Sequence, residues 1–168
     1  MQNWPSNSTP RGVLLALMYL GTDGLPPLLA VVTNRTLPVE FRCDAIERVG
    51  ATRRWGADAS SAVPALLGCL QDDEVAAEAA RALGNLALEP RLAVPALTEA
   101  LQSTNLLLQA RAAGSLGDFG GEARAAVPSL LSALEGSPGV LGHEITNALM
   151  RIAPEVLATT NRVERQGN

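Results

Sequence analysis

Apolar residues recur along the chain at helical spacing: Val63, Leu66, Leu67 and Leu70, then, after the polar break Gln71-Asp72-Asp73, Val75, Ala79, Leu83 and Leu86. Each run lies on one helix face, so together they predict two amphipathic helices joined by a short turn. The phrase that opens the first run returns. Val-Pro-x-Leu stands at 63–66, 94–97 and 127–130, with Leu25-Pro26-Pro27-Leu28 as a weaker copy, and the three clear copies lie 31 and 33 residues apart. A second phrase, Ala82-Leu83-Gly84-Asn85-Leu86, returns as Ser115-Leu116-Gly117-Asp118-Phe119 and Ala148-Leu149-Met150-Arg151-Ile152, each 33 residues after the last. Two independent phrases that share one period mark a solenoid of helix pairs.

Proline heads the first helix of each unit, helix A, because its fixed φ suits the first turn and its missing N–H would have had no partner there. Helix A is therefore expected to begin near Pro26, Pro64, Pro95 and Pro128, and to end at polar breaks such as 71–73, 102–104 and 135–137. Helix B follows, at about 74–86 in one unit. The connections at 89–92 and 120–125 are short enough to force antiparallel neighbours. The connection at 52–61 is longer and is expected to bulge, carrying Arg53, Arg54 and Trp55. Residues 11–20 fit a helix B without a helix A, a half repeat at the N-terminus.

In this register the chain resembles the HEAT-like repeat family, in particular its short bacterial type also named for its occurrence in phycobilisome lyases, over about residues 11–154. The resemblance implies an all-α fold, a right-handed α-solenoid of antiparallel helix pairs: about four pairs after the half repeat, with a head at 1–10 and a polar tail at 155–168. It also implies that the B helices line the concave face and that the protein binds another protein. The chain departs from the family at the residue following the first apolar residue of helix B, where the family usually carries Arg. Only Arg42 occupies that place, against Ala76, Gln109 and Gly142, and Met150 stands where earlier units have Gly84 and Gly117.

Composition narrows the picture. Apolar residues make up 47% of the chain but aromatics only 3%, so the core must come from Leu, Val and Ala, which suits helices packed closely on helices. A net charge of -4 argues against the basic footprint of a nucleic-acid binder and against an anionic membrane surface. Every basic residue is Arg. Cys43 and Cys69 lie where other repeats carry Ala and form no CxxC pair, so they are expected to be packed, reduced thiols, as in a cytoplasmic protein. The apolar run at 13–20 has only Arg11 ahead of it and Asp23 just beyond, and it is too short to span a bilayer. His143, the only histidine, has no companion ligands, so no metal or other cofactor is expected. No nucleophile elbow, phosphate loop or zinc-protease motif occurs, and a non-enzyme is expected. A DNA glycosylase-like role would need a basic groove with aromatic side chains, but neither Trp4 nor Trp55 maps to the inner helices. Nothing specific supports a bilin lyase-like role.

The exposed stripe of the B helices remains. It runs through Glu40, Asp44 and Glu47, then Glu74, Glu78, Arg81 and Asn85, then Leu107, Arg111, Gly114 and Asp118, and finally Val140, Glu144, Asn147 and Arg151. Its acids outnumber its arginines, so the inner face is expected to be acidic and to favour a neutral to basic protein or peptide. At the opening of helix B the stripe changes from Glu40 and Glu74 to Leu107 and Val140, which are expected to anchor the partner, with Leu106 beside them. The alternative function is a spacer within a larger chain. The apolar helix at 11–20 predicts either that residues 1–10 fold back with Trp4 packed down or that two chains meet there as a homodimer.

Overall fold

A computed structural model describes residues 10–137 and 139–157, apart from the side chains of 10, 11 and 54–57. All regular structure among the described residues is helical. The α-helices are α1 (Pro10–Tyr19), α2 (Leu25–Thr33), α3 (Val39–Gly50), α4 (Val63–Cys69), α5 (Ala76–Leu86), α6 (Pro90–Ala100), α7 (Leu106–Phe119), α8 (Val127–Glu135) and α9 (Val140–Ile152). Three 3₁₀ segments, Gly21–Gly24, Ala51–Ala62 and Gly120–Ala126, join them. No described helix is long and apolar enough to cross a membrane.

Helices α3, α5, α7 and α9 pack against one another in series, with α1 against α3. Helices α2, α4, α6 and α8 each pack on the helix that follows, forming a second layer. A helix of the first layer therefore has neighbours on three sides, and its composition answers to that. In α5, residues Ala76, Ala77, Ala79, Ala80, Ala82, Leu83, Gly84 and Leu86 are all buried. Only small side chains let helices approach this closely on several faces at once.

The closest approach is set by one glycine per helix. A Cβ at Gly84 would lie 2.5 Å from Ser115 Oγ and 2.7 Å from Ser115 Cα, and a Cβ at Gly117 would lie 3.1 Å from Ala148 Cα. Each glycine faces the small residue that sits two places before the corresponding position of the next helix. In α9 that position is Met150, which is exposed. Among the described residues only the short turn at 154–157 follows α9 and Met150 stays exposed, so nothing at Met150 requires a glycine. Ser115 Oγ donates to Ala80 O at 2.8 Å, tying α7 to α5 beside the contact.

Among the described residues, Arg42 is the largest fully buried side chain, only 2% exposed. Its Nε donates to Val32 O at 3.2 Å at the end of α2, and its Nη2 donates to Asp72 Oδ2 at 2.8 Å in the turn after α4. Because this hydrogen bond favours the charged form, Asp72 is held below the usual carboxylate pKa range. Arg42 thus locks two successive turns together. In α7 the corresponding Gln109 closes its own turn by donating to Ser103 O.

Three sequence expectations need correction. Helix α6 begins at Pro90, five residues before Pro95, which lies inside the helix on its exposed side. The reason is local: Ala87 and Glu89 adopt left-handed conformations, φ +47° and +50°, and Pro90 then supplies the first-turn signal. Segment Ala51–Ala62, expected to bulge, is wound into 3₁₀ helix and packs on α3, α4 and α5. Finally, packing does not stop at 154. Residues 154–157 form a further helical turn, and Val156 and Leu157 pack on the core.

Candidate functional site

Side chains of the stripe are positioned by the starts of the first-layer helices. Asn105 caps α7, its Oδ1 accepting from Leu107 N at 3.0 Å and Leu108 N at 3.3 Å. That places Leu106 and Leu107 in the first turn, where Leu108 points inward and is buried. Val140 opens α9 at the equivalent position. Leu107 is 54% exposed and Val140 75% exposed.

The stripe lines two adjacent grooves. One, between α3 and α5, is bounded by Glu40, Cys43, Asp44, Glu47, Glu78 and Arg81. The other, of about 410 Å³, runs across α5, α7 and α9. It brings together Arg81, Leu107, Arg111, Val140, Glu144 and Arg151, with Asp118 between them and Ala110 and Ser115 in its floor. Arg81 borders both grooves. Glu74 borders neither; it is exposed and its Oε2 is 4.0 Å from the Arg42 guanidinium. Asn85 and Asn147 lie outside both linings.

Ion pairs redistribute the charge of the stripe, whose acids outnumber its arginines. Arg81 binds Glu78 with both Nε and Nη2, at 2.9 and 2.8 Å. Arg151 reaches across from α9 to Asp118 at 2.8 Å. Arg48, outside the stripe, leans back to Asp44 at 3.6 Å and leaves that carboxylate only 12% exposed. Such partly exposed pairs contribute about 0–1 kcal/mol each, so their consequence here is neutralisation more than stability. Among the described residues neither Arg111 nor Glu144 makes an ion pair. The acidic excess is thus confined to the α3 end, at Glu40 and Glu47. The α5–α7–α9 groove instead has three arginines, Arg81, Arg111 and Arg151, against two carboxylates, Asp118 and Glu144.

Other chemistry is sparse. His143 is exposed, and no three His, Cys, Asp or Glu residues cluster as a metal site among the described residues. Cys69 is buried and Cys43 half-buried, both free thiols. Burial raises both thiol pKa values, with the nearby Glu78 carboxylate adding to the rise at Cys43. At α1, Leu14 is buried while Leu15, Tyr19 and Leu20 are exposed. The expectation for Trp4 and residues 1–10 falls outside the described residues.

Two layers of antiparallel helices, stacked in register along the chain, define the architecture of an α-helical repeat protein. A family profile described as HEAT repeats matches residues 63–150, from the start of α4 almost to the end of α9. That is more than half of the 168-residue chain, and the chain belongs to the HEAT-repeat family. Repeats of this family commonly serve as protein-interaction scaffolds. A search among curated proteins found no match.

Proposed function

We propose that this chain is a non-catalytic, cytoplasmic scaffold. In this reading it is a right-handed solenoid of four helix pairs and a half repeat, of the short bacterial type, that holds a protein segment on the concave face formed by α3, α5, α7 and α9. The observation that carries it is the pair Leu107 and Val140, both exposed, at equivalent positions of successive helices and on one groove. Large apolar side chains at the same repeat position adjoin one another, and interface energy concentrates in such apolar anchors while surrounding charges steer. Glu40 and Glu47, the acids of α3 left without an arginine among the described residues, would guide neutral to basic stretches of the partner to the α3 end, while Asp44, Glu74 and Glu78 stay beside Arg48, Arg42 and Arg81. The same excess of acid disfavours duplex DNA.

The test is affinity for peptides selected from a displayed library on the intact chain. Replacing Leu107 and Val140 together with Ser should weaken binding about tenfold or more, equivalent to about 1.4 kcal/mol, with the helical circular dichroism unchanged. Unchanged affinity would remove the anchor and favour the spacer role. Tight duplex-DNA binding at about 0.15 M salt, where surface charges are screened beyond about 8 Å, would contradict the partner class.

A second reading rests on α1. Leu15, Tyr19 and Leu20 together leave an apolar face exposed on the outermost described helix, which favours pairing of two copies through it. Light scattering should then give a dimer that Leu20→Ser dissociates; a wild-type monomer removes the idea.

A further inference from the structure

The α5–α7–α9 groove carries a second layer of selectivity beyond its apolar anchors, and its charges are arranged in the same register. Leu107 and Arg111 are four residues apart on α7, and Val140 and Glu144 are four apart on α9. Residues at that spacing are neighbours on one helix face, about 5–6 Å apart at Cβ. Successive helices therefore present an apolar residue and, one turn further on, a charged one, with opposite sign in the two helices.

The two charges are not equivalent. Glu144 is half-buried and folds over α7, where a Cβ at Gly114 would lie 3.4 Å from its Oε2. Arg111 is exposed, and among the described residues it has no ion-pair partner. Its neighbours in the groove are committed: Arg81 to Glu78 and Arg151 to Asp118. Among the described residues of the lining, Arg111 is thus the guanidinium left to meet a ligand. A guanidinium presents a planar fork of donors that matches a carboxylate with two parallel hydrogen bonds, which an ammonium cannot do.

We infer that Arg111 selects a carboxylate of the partner segment, an Asp or Glu placed about one helical turn from the apolar side chain that seats on Leu107 and Val140. This rests on the proposed binding face and adds to it a chemical signature and a direction. The acidic end at Glu40 and Glu47 repels that carboxylate, so the acidic part of the partner lies over α7 and α9 and its neutral or basic part over α3. The partner is bipolar along its length.

The test uses a displayed library of random linear peptides selected on the intact chain and, separately, on Arg111→Glu. Peptides from the wild type should couple an apolar residue to Asp or Glu, two positions away if extended or three to four if helical. Peptides from Arg111→Glu should carry Lys or Arg at that place. Wild-type-selected peptides should bind Arg111→Glu at least about tenfold more weakly, whereas Arg91→Glu, an exposed arginine on α6, leaves them unchanged. Loss of binding in Arg91→Glu equal to that in Arg111→Glu would overturn the inference, since general charge would then suffice. The same sequences from both selections would also overturn it; the anchor would survive if those peptides lost affinity for the Leu107→Ser, Val140→Ser chain. Peptides indifferent to the serine pair would reject the binding face itself, and the role of Arg111 with it.

Discussion

Replacing Gly84 with Ala probes the contact that lets the first layer stack. The added methyl would meet Ser115 Oγ at 2.5 Å, its Cβ at 2.6 Å and its Cα at 2.7 Å. Carbon atoms rest at about 3.5–4.0 Å, so α5 and α7 must separate by roughly 1 Å at this point. The obstacle is backbone, which no rotamer change removes, and the Ser115 hydroxyl that donates to Ala80 O stands in the way as well. Overpacking of a close-packed core costs about 1–3 kcal/mol, and the backbone clash places Gly84→Ala near the top of that range. Alanine gains about 1 kcal/mol of helix propensity over glycine. The net expectation is a loss of about 2 kcal/mol, or about 4–8 °C in Tm for a chain of this size. Gly117→Ala is the internal control, because its nearest neighbour, Ala148 Cα, is 3.1 Å away and needs to yield only a few tenths of an ångström. Its strain and propensity gain nearly cancel, leaving stability within about 0.5 kcal/mol of wild type. Urea titration followed by far-ultraviolet circular dichroism measures both. Ser115→Ala should not rescue Gly84→Ala, since the Cβ and Cα remain. Equal stability of Gly84→Ala and Gly117→Ala would refute the reasoning.

Asp72→Asn should cost about 3 kcal/mol at neutral pH, the low end for breaking a buried pair because Glu74 stays within 4.0 Å of Arg42. Since Asp72 is depressed in the folded chain, its contribution is present above the unfolded carboxylate value of about 3.9 and is lost as pH falls below it. Wild type and Asp72→Asn should therefore differ in urea midpoint at pH 7 and converge at acid pH; a gap that persists there would contradict the pairing. Ala87→Gly should stabilise by about 0.5 kcal/mol in thermal melts, because a left-handed backbone costs an L-residue roughly 1 kcal/mol that glycine largely avoids, and a lower Tm would count against that strain.

Much of the fold is legible because the repeat is strict. Helices α2, α4 and α8 begin within a residue of the position that Pro26, Pro64 and Pro128 indicate, since proline at the first turn acts locally. Helix α6 departs because two left-handed residues that are not glycine, Ala87 and Glu89, precede Pro90, and nothing in their side chains announces that conformation. Gly84 and Gly117 can be read as sites of close approach, but not their partners Ser115 and Ala148, which depend on the offset between stacked helices. Arg42 shows the limit of motif reading. It stands out as the only arginine at its repeat position, yet its burial and its bond to Asp72 depend on where the turn after α4 falls. The stripe's exposed positions follow from periodicity, whereas its charge balance depends on rotamers. Arg48 covers Asp44, and Arg151 crosses to Asp118, and neither pairing is set by spacing alone.

The central claim is that binding occupies the α3–α5–α7–α9 face and is anchored in the groove across α7 and α9. Backbone amide shifts of the labelled chain, recorded as a library-selected peptide is titrated in, locate the contact residue by residue. The account predicts the largest shifts at Leu107, Arg111, Gly114, Val140 and Glu144, with little change in α2, α4 and α6. Shifts concentrated instead on the outer layer, for example at Leu92 and Glu99 of α6, would contradict it.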